Sequence, residues 1–149
     1  VVNTVGAVWV ARGEADMSAI KQSLNFLKNG TPIGMAPEGT RSRTGALIEG
    51  KTGAAYLADR TGVVLVPAVV YGTEQVTTNL KRLRRTEVIM KVGEPFKLPG
   101  NGRARAPELE KYTEQIMISL AKMLPEQYHG HYAGNPLLKE PPAEPTPAQ

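Results

Sequence analysis

The spacing of apolar positions along the chain changes several times, and each change marks an element. Val and Ala crowd around Trp9 in Thr4–Val10, a near-continuous apolar run that predicts a buried strand. Arg12-Gly13-Glu14 breaks the run. Asp16 then stands at an N-cap position, and Met17, Ile20, Leu24 and Leu27 share one helical face. Asn29-Gly30 closes that helix, with Pro32 just beyond. Ile33–Ala36 is short and apolar and predicts a second buried strand. Pro37–Gly50 is a long polar connection. Thr52–Arg60, dense in alanine, predicts a short, tightly packed helix stopped by Gly62. Val63–Tyr71 is the strongest strand signal, and Thr86–Val92 predicts a further strand. Pro107 and Glu108 open a last helix with Leu109, Tyr112, Ile116, Leu120 and Met123 on one face.

That order of elements predicts an α/β layer fold, a mixed, mostly parallel sheet flanked by helices. The near-continuous apolar strands agree, because parallel strands are covered on both faces. From Pro125 onward the periodic pattern fails, and the final PPAEPTPAQ is Pro-rich. The expectation is one domain over residues 1–124, followed by a disordered tail over 125–149. The 149 residues suit a single domain with a modest core. Aromatic residues make up only 5%, so that core rests on Val, Leu, Ile, Met and Ala.

The chain has no cysteine, which excludes a disulfide scaffold, a Cys-ligated zinc site and a thiol nucleophile, and fits a reducing compartment. The longest apolar run, Val63–Tyr71, is interrupted by Pro67 and falls far short of the roughly 20 residues of a membrane span. Net charge is +4 and unevenly spread: Lys81 to Arg105 holds eight Lys or Arg residues against Glu87 and Glu94. The densest part is Lys81-Arg82-Leu83-Arg84-Arg85. It reads either as a contact for anionic lipid or as a solvated connection. A nucleic-acid partner is not expected, since no aromatic residue is interleaved with the basic run as a stacking platform would require.

The chemistry concentrates in Pro37-Glu38-Gly39-Thr40-Arg41-Ser42, directly after an expected strand. Ligands of open α/β sheets sit outside the carboxyl ends of strands. Arg41 offers a planar fork of donors suited to phosphate or carboxylate. Gly39 admits a close approach of backbone to ligand. Thr40 and Ser42 add hydroxyls and N–H groups, Glu38 can accept from a hydroxyl or hold Arg41, and Arg43 and Lys51 raise the positive potential. The set fits a small molecule bearing both phosphate and hydroxyl; the competing reading is a polar turn steadied by a Glu38–Arg41 pair. Gly45 to Thr52 formally meets the Gly-x-x-x-x-Gly-Lys-Thr pattern of a P-loop, but no expected strand leads directly into it.

Ala36-Pro37-Glu38-Gly39-Thr40-Arg41-Ser42 resembles the Phe-Pro-Glu-Gly-Thr-Arg-Ser block of the glycerol-3-phosphate and lysophosphatidate acyltransferases. Gly6 to Arg12 resembles that family's upstream strand ending in arginine. Lys51-Thr52-Gly53-Ala54-Ala55 resembles its Lys-x-Gly-Ala stretch, and Val64 to Val69 its Val-Pro strand, so the resemblance covers about residues 4–100.

The resemblance implies transfer of a fatty acyl group from acyl-CoA or an acyl-carrier-protein thioester to the free hydroxyl of a lysophospholipid, with no cofactor and no metal. It implies that Arg41 binds the acceptor phosphate with Arg12 and Lys51 in support. Gly39, Thr40 and Ser42 would shape the pocket, and Glu38 would orient the acceptor or the loop. It also implies a peripheral position on the cytoplasmic face of a membrane, with Lys81, Arg82, Arg84 and Arg85 in contact. The family's catalytic His-x-x-x-x-Asp block does not occur in this sequence. His129 and His131 have no Asp five positions on and read as surface residues. The expectation is therefore that the block lies upstream and that this chain alone is inactive, the alternative being a non-catalytic phospholipid-binding module.

Overall fold

The computed structural model describes residues 17–139. The expected strand Thr4–Val10, Asp16 and Arg12 lie outside the described residues, as does the PPAEPTPAQ end. Helix α1, Met17–Lys28, forms where the sequence placed it, but of the expected face Ile20, Leu24 and Leu27 are half-buried and Met17 is exposed, while Ala19 and Ser23 are buried. Helix α2, Gly53–Thr61, buries Ala55, Leu57, Ala58 and Asp59. It ends where Gly62 turns to a φ of 63° and donates its N–H to the Ala58 carbonyl, a left-handed stop that glycine adopts without a Cβ penalty. Helix α4, Ala106–Ala121, starts with Pro107 in its first turn and with the Glu108 carboxylate accepting from the Arg105 N–H at 2.9 Å. Helix α2 packs on both α1 and α4. The buried Asp59 carboxylate receives the N–H groups of Gly102 and Ala104, each at 3.1 Å, and so ties the loop before α4 to α2.

The chain is α/β, but its described sheet differs from expectation. Strands β1, Ala68–Tyr71, and β2, Ile89–Val92, pair antiparallel, with Val69 opposite Lys91 and Val70 opposite Met90. No parallel pair occurs among the described residues; an apolar run signals burial and carries no information about the direction of its partner. Pro67 has no N–H to donate, so the long run Val63–Tyr71 is interrupted there; pairing resumes at Leu65, which exchanges both hydrogen bonds with Phe96. Ile33–Ala36, expected as a strand, is irregular and mostly exposed. A strand is held by its neighbour's hydrogen bonds, and this segment has no ladder partner among the described residues. Between β1 and β2 lies helix α3, Val76–Lys81, preceded by a 3-10 turn over Thr73–Gln75.

The core gathers Val69 from β1 with Met117, Ile118, Leu120 and Ala121 from α4. Tyr132 completes it, and this corrects the expectation of a disordered tail from Pro125. Residues 125–139 form three 3-10 turns, Glu126–Tyr128, Gly130–Tyr132 and Pro136–Leu138, and bury Tyr128 and Tyr132. Their order comes from two aromatic side chains packed against distant elements, which a periodicity test does not register. No helix among the described residues is long and apolar enough to cross a membrane.

Candidate functional site

The loop from Pro37 to Lys51 returns to its own start: the Lys51 N–H donates to the Pro37 carbonyl at 2.7 Å. Its rear half is knitted into the protein. The Leu47 N–H donates to the Tyr128 carbonyl at 2.9 Å, the Ile48 N–H to Glu38 Oε1 at 2.7 Å, and the Gly50 N–H to the Tyr132 hydroxyl at 3.0 Å. A Cβ at Gly50 would lie 2.6 Å from Met117 Cγ, so only glycine lets the loop sit this close to α4. Burial pushes the pKa of the Tyr132 phenol up, keeping it neutral where it receives the Gly50 N–H.

The front half is different. The backbone N–H groups of Thr40, Arg41, Ser42 and Arg43 have no acceptor among the described residues. Arg41 and Arg43 are exposed, and neither guanidinium has an ion-pair or hydrogen-bond partner there. Ser42 and Thr44 link their hydroxyls at 3.2 Å. Gly39 turns the chain into this stretch with a φ of 70°. Four N–H groups and two guanidinium groups without partners lie on one short turn, a donor set whose chemistry suits an anion and which forms a candidate cradle.

The cradle opens into a cleft of about 1420 Å³. Glu38, Gly39, Thr40, Arg41, Ser42 and Arg43 line it, as do Ser23 and Phe26 of α1, Tyr71 of β1, Thr73, Glu74 and Thr77 among others. Of the residues picked out by sequence, Glu38 through Ser42 therefore come together. Lys51 does not line the cleft; its stem lies behind Gly39, with Cγ 3.4 Å from where a Cβ would be. Arg12 is outside the described residues. Glu38 does not pair with Arg41: its carboxylate accepts from Ile48 and braces the loop. The steadying Glu38–Arg41 pair is thus replaced by a brace to the backbone, which leaves Arg41 free.

The P-loop reading fails on donors. A P-loop cradles phosphate with backbone N–H groups, and those of Leu47, Ile48, Gly50 and Lys51 are already committed within the protein. No strand leads into the segment among the described residues. Neither histidine lines the cleft; the His129 ring lies 3.0 Å from the Leu124 carbonyl through Nε2. No group of His, Asp or Glu among the described residues is arranged to hold a metal ion.

Residues 1–71, which contain the cradle, match the family model described as Acyltransferase. This stretch is acyltransferase-family sequence. The chain is 37% identical over 93 residues to a 1-acyl-sn-glycerol-3-phosphate acyltransferase of Escherichia coli, covering 62% of this chain and 38% of that protein. It is 31% identical over 111 residues to the protein of the same name from Haemophilus influenzae, covering 74% and 45%. A chloroplastic 1-acyl-sn-glycerol-3-phosphate acyltransferase of Arabidopsis thaliana is 37% identical over 62 residues, 42% of this chain and 17% of the relative. The chain thus spans less than half the length of these curated relatives. No solved structure matches it at a significant level.

Two contributors to the cleft carry no local sequence signal. Glu74 lines it beside the loop, its Cβ and Cγ 3.9 Å from where a Cβ on Gly45 would be, and the Tyr128 hydroxyl donates to its carboxylate at 2.7 Å. That bond holds the Glu74 carboxyl below its ordinary pKa and raises that of Tyr128. Directly after Glu74 and Gln75, α3 leads out to the basic run. Thr77 lines the cleft, Lys81 ends the helix, and Lys81, Arg82, Arg84 and Arg85 are all exposed.

Proposed function

We propose that the cradle binds the phosphate of a lysophosphatidate-like acceptor, and that the domain this chain belongs to transfers a fatty acyl group to the acceptor's free hydroxyl from an acyl thioester, acyl-CoA or acyl-carrier protein. The observation that carries the reading is the turn from Thr40 to Arg43, with its uncommitted N–H groups and the free Arg41 and Arg43 guanidinium groups facing a cleft. The names of the relatives supply the reaction class. Glu38 acts as a brace, Gly39, Thr40 and Ser42 shape the turn, and Lys51 and Arg12 add positive potential. The base for the hydroxyl is the histidine of the family's His-x-x-x-x-Asp block, which this sequence does not contain. No cofactor takes part in this chemistry.

The site works at a membrane surface, with Lys81, Arg82, Arg84 and Arg85 against anionic headgroups. The mostly parallel sheet of the layer fold belongs to the same proposal. Ile33 and Met35 line a cavity of about 510 Å³ together with Val64, Val66 and Ala68, so the two apolar segments border the same space.

The test is binding of lysophosphatidate against binding of the monoacylglycerol that lacks its phosphate. The cradle predicts a preference of roughly tenfold to a hundredfold for the phosphorylated lipid, the worth of a charge-assisted contact. Equal affinities would remove phosphate recognition from this loop.

A further inference from the structure

The turn that ends α3 is built in a way that the described residues around it do not explain. The Leu83 N–H donates to the Leu80 carbonyl at 3.1 Å and the Arg84 N–H to the Asn79 carbonyl at 2.8 Å. That pair of bonds is the Schellman termination of a helix, whose left-handed residue is usually glycine. Here it is Leu83, with a φ of 51°, the one non-glycine residue with positive φ among those described. A leucine in this conformation is strained by its own Cβ. The usual compensation is an apolar contact made by the residue that follows, but Arg84 stands there. Leu83 is 95% exposed, Leu80 is 70% exposed, and α3 contributes no buried residue at all.

Lys81, Arg82, Arg84 and Arg85 flank the two leucines, all exposed and none paired among the described residues. An apolar tip inside a ring of basic side chains is the arrangement that an anionic lipid interface accommodates. The leucines enter the acyl boundary while the cations stay among the headgroups. The turn is also tied to the cleft. Thr77 lines it, and α3 spans only about 9 Å at the usual helical rise.

We infer that Leu83, seconded by Leu80, is a membrane-inserting tip that sets the cleft with its phosphate cradle against the surface of an anionic bilayer. The inference deepens the membrane contact proposed above and rests on it. Electrostatic contact needs only the four cations. Insertion needs the leucines, and it accounts for a strained leucine where glycine would fit the backbone better.

The chain has no cysteine, so Leu83→Cys can carry one environment-sensitive fluorophore on an otherwise unlabelled protein. The probe is mixed with vesicles of equal parts phosphatidylcholine and phosphatidylglycerol, some carrying nitroxide on the acyl chains. Insertion predicts a blue shift and quenching by the nitroxide lipid. Leu83→Gly separates insertion from folding: it relieves the left-handed strain, so thermal stability should hold or rise, while vesicle partitioning falls by roughly tenfold or more with the loss of a buried leucine side chain.

A label that stays aqueous while the chain sediments with the vesicles overturns insertion and leaves the basic contact standing. Failure to sediment at all overturns both. Lower stability in Leu83→Gly, or a blue shift without lipid, would place Leu83 in a protein contact and also overturn the inference.

Discussion

Tyr128 and Glu74 are 54 positions apart, and the hydroxyl of one donates a 2.7 Å hydrogen bond to the carboxylate of the other at the rim of the cleft. The Tyr71 ring stands 5.4 Å from that of Tyr128, so the end of β1 meets the same turn. The Tyr128 carbonyl also receives the Leu47 N–H from the rear of the loop. One residue thereby holds both the rear of the loop and Glu74.

Tyr128→Phe removes the donor that lowers the Glu74 pKa, so Glu74 should titrate closer to its ordinary value of 4.5. A carboxylate whose folded-state pKa is depressed contributes stability above its unfolded-state pKa and loses it as pH falls through the folded-state value. The stability gap between wild type and Tyr128→Phe should therefore be open at neutral pH and narrow in acid. Denaturant melts at both pH values, with an NMR titration of Glu74, check this. A gap of equal size in acid would assign the effect to packing.

Glu38 is expected to act through the loop. Glu38→Ala deletes the acceptor of the Ile48 N–H and should cost about 1.5–3 kcal/mol, the range for a hydrogen bond to a charged group. Glu38→Gln keeps an oxygen in reach and should recover most of the stability and of the glycerol 3-phosphate affinity. Thermal melts and calorimetry on both variants decide it; a glutamine variant as impaired as the alanine one would mean that the charge itself is needed.

Arg41 and Lys51 should separate in a phosphate-binding assay. Arg41 faces the cleft without a partner, and Arg41→Ala should weaken glycerol 3-phosphate binding by roughly tenfold to a hundredfold. Lys51 lies behind Gly39, outside the lining, and Lys51→Ala should have a clearly smaller effect that salt removes. Comparable losses in the two variants would refute the placement.

Gly50→Ala tests the seat of the loop on α4. The added methyl would meet Met117 Cγ at 2.6 Å and Thr113 Cγ2 at 2.9 Å, and overpacking of that kind costs about 1–3 kcal/mol. In a Met117→Ala background, itself destabilised by the lost core side chain, the added methyl should cost clearly less because there is room for it. The double-mutant cycle reads the coupling, and strict additivity would show that the two residues do not compete for space.

The sequence by itself determined the three longer helices and the chemical character of the loop. Their signals are local: the apolar face of α1, the left-handed Gly62 after α2, Pro107 and Glu108 at the start of α4, and a contiguous Pro37–Ser42 run. Each depends on residues within a turn or two, so the chain can be read without knowing what lies across from it. Tertiary structure decided the rest. An apolar run at Val63–Tyr71 could not announce an antiparallel partner, because strand direction is a property of the pair. Nor could any period mark Tyr128 and Tyr132, which order residues 125–139 through bonds to Glu74 and Gly50, the latter 82 positions away. Which loop donors are committed and which are free for a ligand follows from those same long-range bonds. A backbone N–H is available to phosphate only where the fold has brought no other acceptor to it.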